Sequence, residues 1–195
     1  DNIKEICEIL SSEMKSCDLI VVSDFGHGLM TMEIIQAITD SKKFVAVNTQ
    51  ANAGNRGFNT ITRYPHLDYA CIAEHEMRLE ARNPHGELRP IMEKTRKQLN
   101  AKYFVVTRGQ RGCLVSTSNE EFVAVPAFLA GKVIDRVGAG DAFLSVSAMM
   151  AYMDVSPELL GFIGNVVGAD AVGRLGNEKA INALQLKKHV TSLLK

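Results

Sequence analysis

One aspartate, Asp141, opens a predicted helix directly behind a short loop that contains Gly138 and Gly140. Glycines let the backbone approach a ligand closely, and the first turn of a helix offers free N–H groups and the positive end of the helix dipole. This combination predicts a phosphate or oxyanion site. A carboxylate beside a bound phosphate would be repelled unless it had a chemical role, such as removing a proton from an attacking hydroxyl. The alternative is a tight turn followed by an ordinary helix-start charge.

Further polar and glycine-rich segments lie elsewhere in the chain. Residues 105–112 read V-V-T-R-G-Q-R-G, and residues 21–28 read V-V-S-D-F-G-H-G. Each follows an apolar run and could be a plain turn. A later apolar helix carries Asn165 and several small residues, which fits helix packing as well as a site.

Taken in order, these segments resemble motifs of the ribokinase-like, or PfkB, carbohydrate kinases. Residues 135–143, D-R-V-G-A-G-D-A-F, resemble the signature D-T-x-G-A-G-D-x-F, and residues 105–112 resemble V-T-x-G-x-x-G. Residues 21–28 are similar to S-D-Y-x-K-G of the heptose-phosphate kinase branch. The resemblance implies that Gly138, Ala139 and Gly140 form an anion hole for the transferred phosphoryl group and that Asp141 is the general base on a sugar hydroxyl.

The resemblance also assigns binding roles to other positions. For the nucleotide it implies Thr107, Gly109, Gly112, Asp135, Arg136 and Asn165. For the substrate it implies Asp24, His27 and Asn48, and for the metal it implies Glu76. The implied cofactors are ATP and Mg²⁺, and a monovalent cation is left open.

The chain departs from the family pattern at several of these places. The heptose kinase branch has D-P-K where this chain has Asn48-Thr49-Gln50, and the family's T-P-N-x-x-E asparagine is replaced by Ala73. His27 stands where the branch has Lys, and Arg136 stands where the family has Thr. Because phosphoryl transfer depends on positioning and charge stabilisation, such losses indicate either a different substrate or a weakened kinase.

Three functions therefore compete. The first is ATP-dependent phosphorylation of a sugar or sugar phosphate, and a heptose-phosphate-like sugar is one candidate substrate. The second is a catalytically impaired nucleotide- or sugar-binding module within a larger nucleotidyltransferase-type protein. The third, a Rossmann-type dinucleotide binder, has the wrong context, because the G-A-G-D loop follows a predicted antiparallel pair near the C-terminus.

The elements that position these residues alternate between strand and helix. Predicted strands cover 18–23, 44–47, 67–72 and 103–107, an antiparallel pair covers 113–117 and 121–125, and a short extended segment covers 132–134. Predicted helices cover 31–38, 74–82, 87–99, 139–152, 157–173 and 178–194, after an amphipathic pattern over 3–14. This alternation predicts an α/β fold, a ribokinase-like three-layer α/β/α arrangement around a mostly parallel sheet.

The pattern indicates one partial domain over 1–195, with the family's N-terminal part and lid missing. We therefore expect the natural protein to extend further N-terminally and the 195-residue chain to be inactive as a kinase by itself.

Composition limits the classes of partner and the cellular compartment that the sequence predicts. The formal net charge is zero, which argues against a general nucleic-acid or membrane-surface binder, and no apolar run reaches the length of a membrane span. The four cysteines form no C-x-x-C pair and fit buried thiols of a reducing, cytoplasmic compartment. The expected partners are a sugar or sugar-phosphate substrate and either a second copy of the chain or further domains.

Overall fold

The computed structural model describes residues 2–128, 134–135, 137–173 and 180–193. Six strands form one sheet in the order of the chain. They are β1 (Leu19–Asp24), β2 (Phe44–Thr49), β3 (Tyr69–Ala73), β4 (Tyr103–Thr107), β5 (Cys113–Thr117) and β6 (Phe122–Val125). Strands β1 to β4 are parallel, and β5 and β6 are antiparallel to their neighbours. The carboxyl ends of the four parallel strands therefore meet at one edge of the sheet.

Helices cover both faces of this sheet, which confirms the predicted α/β class. They are α1 (Asn2–Glu13), α2 (Met32–Thr39), α3 (Glu74–Glu80), α4 (Leu88–Gln98), α5 (Ala139–Tyr152), α6 (Pro157–Val172) and α7 (Ala183–Leu193). On one face, β-strand side chains such as Val47 and Phe104 pack with Ile35 of α2, Met77 of α3 and Met92 of α4. This apolar layer holds α1 to α4 against the sheet.

The opposite face carries α5 and α6. Its core joins Val105 and Val115 of the sheet to Phe143 and Leu144 of α5 and Leu160 of α6. A buried hydrogen bond of 2.6 Å between the Tyr69 hydroxyl and Ser147 Oγ also links β3 to α5. The packing fixes the axis of α5, so the start of this helix has a defined place at the carboxyl edge of the sheet.

Local sequence signals account for the helix starts. Thr31 caps α2, because its side chain accepts a hydrogen bond from Ile34 N at 3.4 Å, as the sequence predicts. Ser156 caps α6 in the same way, and Pro157 occupies the first helical position, where its missing N–H is not needed.

Two predicted boundaries differ from the structure or lie outside it. The last helix begins at Ala183, and residues 174–179, where its start was predicted, lie outside the described residues. The predicted extended segment over 132–134 falls largely on residues 129–133, which are also outside. Ile134 is described, and its N–H donates to Val172 O at the end of α6, at 2.8 Å.

Over the described ranges, no helix is both long enough and apolar enough to cross a membrane.

Candidate active site

Asp141 lies in the first turn of α5, and its carboxylate is held by two side chains from the sheet edge. Ser23 Oγ, near the end of β1, donates to Asp141 Oδ1 at 2.8 Å. Gln50 Nε2, directly after β2, donates to the same oxygen at 2.9 Å. No residue in the described part of the chain donates to Oδ2. One carboxylate oxygen is therefore fixed and the other is open.

The loop in front of Asp141 has the backbone geometry of a phosphate cradle. Gly138 is the N-cap of α5 and adopts a left-handed conformation, with φ 79° and ψ −6°, which glycine accepts without strain. The N–H groups of the first turn, from Ala139 onward, have no acceptor within the helix. A side chain at Gly140 would meet no atom within 4 Å, so the space beside this turn is open. The predicted anion hole stays a prediction, with free backbone N–H groups and open space beside Gly140 in its favour.

Asp135 braces the same loop, since its Oδ1 accepts a hydrogen bond from Val137 N at 3.0 Å. The backbone N–H groups of Ile134 and Asp135 donate to Val172 O at the end of α6, at 2.8 and 3.2 Å. Arg136, the third predicted residue of this segment, lies outside the described residues.

Glu76, the predicted metal residue, lies in α3 near Asp141. Its Oε1 accepts from Ala51 N at 2.9 Å and its Oε2 accepts from Ala73 N at 2.7 Å, so it ties the ends of β2 and β3 together. Burial raises the pKa of Glu76, the two backbone hydrogen bonds oppose this, and the negative charge of Asp141 raises it further. A cation bound nearby would relieve the repulsion between these two carboxylates.

Asp24, a predicted substrate residue, ends β1 and is buried against loop residues. Its Oδ1 accepts from Gly26 N at 2.8 Å, and its Oδ2 accepts from the Tyr64 hydroxyl at 3.1 Å and lies 3.6 Å from Arg63 Nη1. With 2% of its surface exposed, Asp24 has no face toward a ligand. These hydrogen bonds give Asp24 the position of a loop anchor.

Asn48 and His27, the other two predicted substrate residues, differ in accessibility. Asn48 is 6% exposed, its Nδ2 donates to Cys71 O at 2.6 Å, and its Oδ1 has no hydrogen-bond partner within the described residues. His27 is exposed, stacks against Phe25 with ring centroids 6.2 Å apart, and lies 3.4 Å from Asn52 Nδ2. His27 is therefore accessible to a ligand, and Asn48 is an interior acceptor beneath the site.

The predicted nucleotide turn connects β4 to β5. Thr107 ends β4, and Gly109 and Gly112 both have positive φ values, of 56° and 77°. Asn165 of α6 does not face this turn directly, since its Nδ2 donates to Val125 O at 3.2 Å and to Pro126 O at 2.9 Å. A Cβ atom at Gly112 would lie 2.0 Å from the same Val125 O. Gly112 and Asn165 thus converge on the end of β6, where both shape the backbone.

A group of arginines surrounds Glu74 beside this turn. Glu74 Oε1 accepts from Arg78 Nη2 at 2.8 Å, and Oε2 accepts from Arg108 Nε at 3.2 Å and from Arg111 Nη2. Although burial acts to raise the pKa of Glu74, the hydrogen bonds from Arg78 and Arg108 and the charge of Arg111 hold it below its ordinary value. Glu74 and Glu76 face different partners, so the sequence Glu74-His75-Glu76 does not converge on one point.

Sequence reasoning missed Ser23 and Gln50 as contacts of Asp141. A usable signal exists, because each lies at the carboxyl end of one of two adjacent parallel strands, where ligand sites of open α/β sheets form. Gln50 was noted only as the replacement for a lysine. The arginine group around Glu74 was also missed, since its members come from two separate segments, α3 and the turn between β4 and β5.

The described residues suit the phosphates of a nucleotide better than they suit a metal ion held by protein side chains alone. Open space beside Gly140 and the free N–H groups of the α5 start suit a phosphate. Across the described ranges no three His, Cys, Asp or Glu side chains form a metal-binding group. Magnesium commonly binds through one or two carboxylates, substrate phosphates and water, and Glu76 could supply one such carboxylate.

A mostly parallel sheet with a glycine-capped helix start and a hydrogen-bonded carboxylate at its carboxyl edge defines an α/β protein whose candidate site lies where open α/β sheets carry ligand sites. The sequence model of the pfkB family of carbohydrate kinases matches residues 12–183. The chain belongs to this family, and its fold is ribokinase-like.

Relatives and solved structures agree with this assignment. The "Bifunctional protein HldE" of Koribacter versatilis is 24% identical over 177 residues, which is 89% of this chain and 35% of that protein. Phosphofructokinase-2 from Escherichia coli has a TM-score of 0.76 at 16% identity, covering 97% of this chain and 62% of that one. A putative ribokinase II from E. coli, solved in complex with ATP and Mg²⁺, has a TM-score of 0.73 at 17% identity, covering 93% and 61%.

The chain spans about a third of the length of the curated relatives it matches.

Proposed function

We propose that this chain forms the ATP-binding, catalytic portion of a kinase that phosphorylates a hydroxyl of a sugar or sugar phosphate. A heptose-phosphate-like substrate is the specific candidate, because the HldE relatives match this chain over most of its length and residues 21–28 resemble the motif of the heptose-phosphate kinase branch. The observation that carries the proposal is Asp141, a carboxylate with one fixed and one open oxygen beside an uncapped helix start.

In this proposal each part of the site has one role. Asp141 removes the proton from the attacking hydroxyl, using a carboxylate that cannot rotate away. The backbone N–H groups after Gly138 stabilise negative charge on the transferred phosphoryl group, because preorganised donors act without reorganisation cost. The turn of residues 107–112 borders the nucleotide, and Glu76 helps to hold Mg²⁺, which neutralises phosphate charge. A monovalent cation finds no separate support.

Turnover of an Asp141→Asn variant tests the general base. In the natural full-length polypeptide, ADP release would be measured over a panel of hexoses, heptoses and their phosphates. We expect kcat to fall by roughly 10²–10⁴, the range for a positioned acid or base, with unchanged affinity for ATP. The matched control is Asp40→Asn, because Asp40 also accepts from a glutamine amide, Gln36 Nε2 at 2.8 Å, at the exposed end of α2. Full turnover in the Asp141 variant would remove Asp141 from the mechanism.

Nucleotide binding can be tested on the 195-residue chain without turnover. Magnesium with ATP or ADP at millimolar concentration should raise the melting temperature, since ligand at about 100 times its dissociation constant adds roughly 2.7 kcal/mol. The absence of any shift with both nucleotides would contradict the proposed site.

A second candidate function is a catalytically impaired binding module within a larger protein. Two observations favour it: Ala73 lacks the polar side chain of the family motif, and both oxygens of Glu76 already accept backbone hydrogen bonds. This module would bind nucleotide yet release no ADP with any sugar of the panel, whereas the kinase would do both.

A further inference from the structure

We propose that Gln50, together with Ser23, is a positioning residue for proton removal, and that Asp141 Oδ2 is the oxygen that takes the proton. This inference rests on the proposed function. It gives roles to Ser23 and Gln50, to which the family resemblance assigned none, and it distinguishes the two oxygens of the base.

The first argument is the convergence of two donors on one oxygen. Ser23 Oγ and Gln50 Nε2 reach Asp141 Oδ1 at 2.8 and 2.9 Å, from the ends of β1 and β2. Ser23 and Asn48 are paired in the parallel register, so Gln50 lies two residues beyond the paired position. Two donors from a rigid sheet oppose rotation of the carboxylate. They occupy Oδ1 and leave Oδ2 without a donor among the described residues.

The second argument is the rigidity of the Gln50 backbone. Gln50 N donates to Asp24 O at 2.9 Å, and Gln50 O accepts from Asn59 Nδ2 at 3.3 Å. The next N–H, of Ala51, donates to Glu76 Oε1 at 2.9 Å. The amide is thus carried by a peptide that is anchored on both sides. Buried Asp24 therefore supports the site indirectly, because its backbone carbonyl holds the Gln50 backbone in place.

The third argument is chemical. A neutral amide orients a carboxylate without cancelling its charge, whereas an ammonium group would form an ion pair with it. Positioning of reacting groups contributes strongly to rate, so a carboxylate fixed by neutral donors suits a general base. A purely packing role would require Gln50 and Ser23 to be enclosed, but Ser23 is exposed and Gln50 is half-buried.

Kinetics of Gln50→Leu and Ser23→Ala in the natural full-length polypeptide provide the first test. We expect each to lower kcat roughly 10- to 100-fold, the range for losing a hydrogen bond to a charged group, with KM for ATP unchanged. Gln50→Lys keeps a donor but forms an ion pair with Asp141, so it should also turn over more slowly than the wild type. Gln36→Leu is the matched control, since it removes an equivalent amide–carboxylate hydrogen bond from the surface, and it should turn over at the wild-type rate.

A double-mutant comparison separates positioning from folding. Once Asp141 is Asn, Gln50→Leu should cost little further turnover, because groups that act as a unit are strongly non-additive. A full and independent loss in that background, or no loss in wild type, would overturn the role of Gln50. If Asp141→Asn alone leaves turnover intact, the general base of the proposed function fails, and the inference fails with it.

The side-chain amide resonances of Gln50 give a readout that needs no activity and no Leu variant. In ¹⁵N-edited NMR spectra, Asp141→Asn should shift the Gln50 amide signals and leave the Gln36 signals in place. Unchanged Gln50 signals would show that the hydrogen bond to Asp141 does not exist in solution, which refutes the inference even where turnover is lost for another reason.

Discussion

Gly112 offers the sharpest test of the turn that borders the proposed nucleotide site. Its φ of 77° and ψ of −135° lie in a region that side chains rarely adopt, and a Cβ atom there would lie 2.0 Å from Val125 O and 2.6 Å from Ala127 N. Neither atom can move freely, because Asn165 Nδ2 holds Val125 O and Pro126 O at 3.2 and 2.9 Å. Gly112→Ala must therefore strain its own backbone and displace the end of β6.

The loss of stability in Gly112→Ala can be estimated from the backbone strain and the displaced packing. A backbone held in a sparsely populated conformation costs about 1–3 kcal/mol. Displacing packed backbone adds an overpacking cost of about 1–3 kcal/mol. We expect about 4 kcal/mol for Gly112→Ala, which corresponds to a fall of roughly 8–16 °C in melting temperature for a domain of this size.

Gly109→Ala is the matched control in the same turn. Gly109 has φ 56°, and a Cβ atom there would meet nothing within 4 Å. Only the left-handed conformation is penalised, at about 1–2 kcal/mol. Urea denaturation of both variants, with thermal melting as a second probe, measures the difference. Free energies of unfolding that agree within about 1 kcal/mol, twice the usual additivity error, would refute the reasoning about the β6 contact.

Three further predictions concern other parts of the fold. Gly164→Ala should destabilise the protein by about 1–3 kcal/mol and lower turnover, because its Cβ would lie 2.4 Å from the Phe143 ring beside Asp141. Gly168→Ala is the control, since its Cβ would lie 3.9 Å from Ala139 O, and it should be neutral or stabilising. Thermal melting and ADP release compare the two variants. Glu74→Gln should destabilise the protein at pH 7 by about 2 kcal/mol. Because the pKa of Glu74 is lowered in the folded state, its contribution to stability is lost as the pH falls below 4.5 through the folded-state pKa, and urea titrations should show the difference between variant and wild type vanish there. A difference that stays constant with pH would contradict this role of Glu74. The 195-residue chain alone should shift its melting temperature with nucleotide but release no ADP with any sugar, and sugar-dependent release by the isolated chain would contradict this expectation.

The sequence predicted the sheet and most helices because their signals are local. Apolar runs such as those of β1 and β2 and the caps Thr31 and Ser156 specify elements without reference to distant residues. Most boundaries moved by one or two residues, as in α3, which ends at Glu80 where the pattern predicted 82, and the start of the last helix moved further. Helix ends depend on the competition between backbone hydrogen bonds and solvent, which a pattern does not record.

The site was predictable only in part. Asp141 and the loop at Gly138 follow from the chemistry of a helix start, which is local. The hydrogen bonds of Ser23 and Gln50 to Asp141 depend on tertiary packing across 118 and 91 residues of sequence. The role of Asp24 was predicted from a motif position, and its 2% exposure depends on packing against loop residues that a motif does not record.

The strictly sequential order of the sheet has a consequence for how the protein acquires its activity. Each strand pairs with its neighbours along the chain, so the sheet can grow by short-range additions, which favours rapid assembly. The Asp141 site instead requires α5 to pack back across the earliest strands. An intermediate with a complete sheet and an undocked α5 would retain most strand hydrogen bonds and lack the base. Pulsed hydrogen exchange during refolding should then protect β2 and β3 before α5, and simultaneous protection would contradict this order.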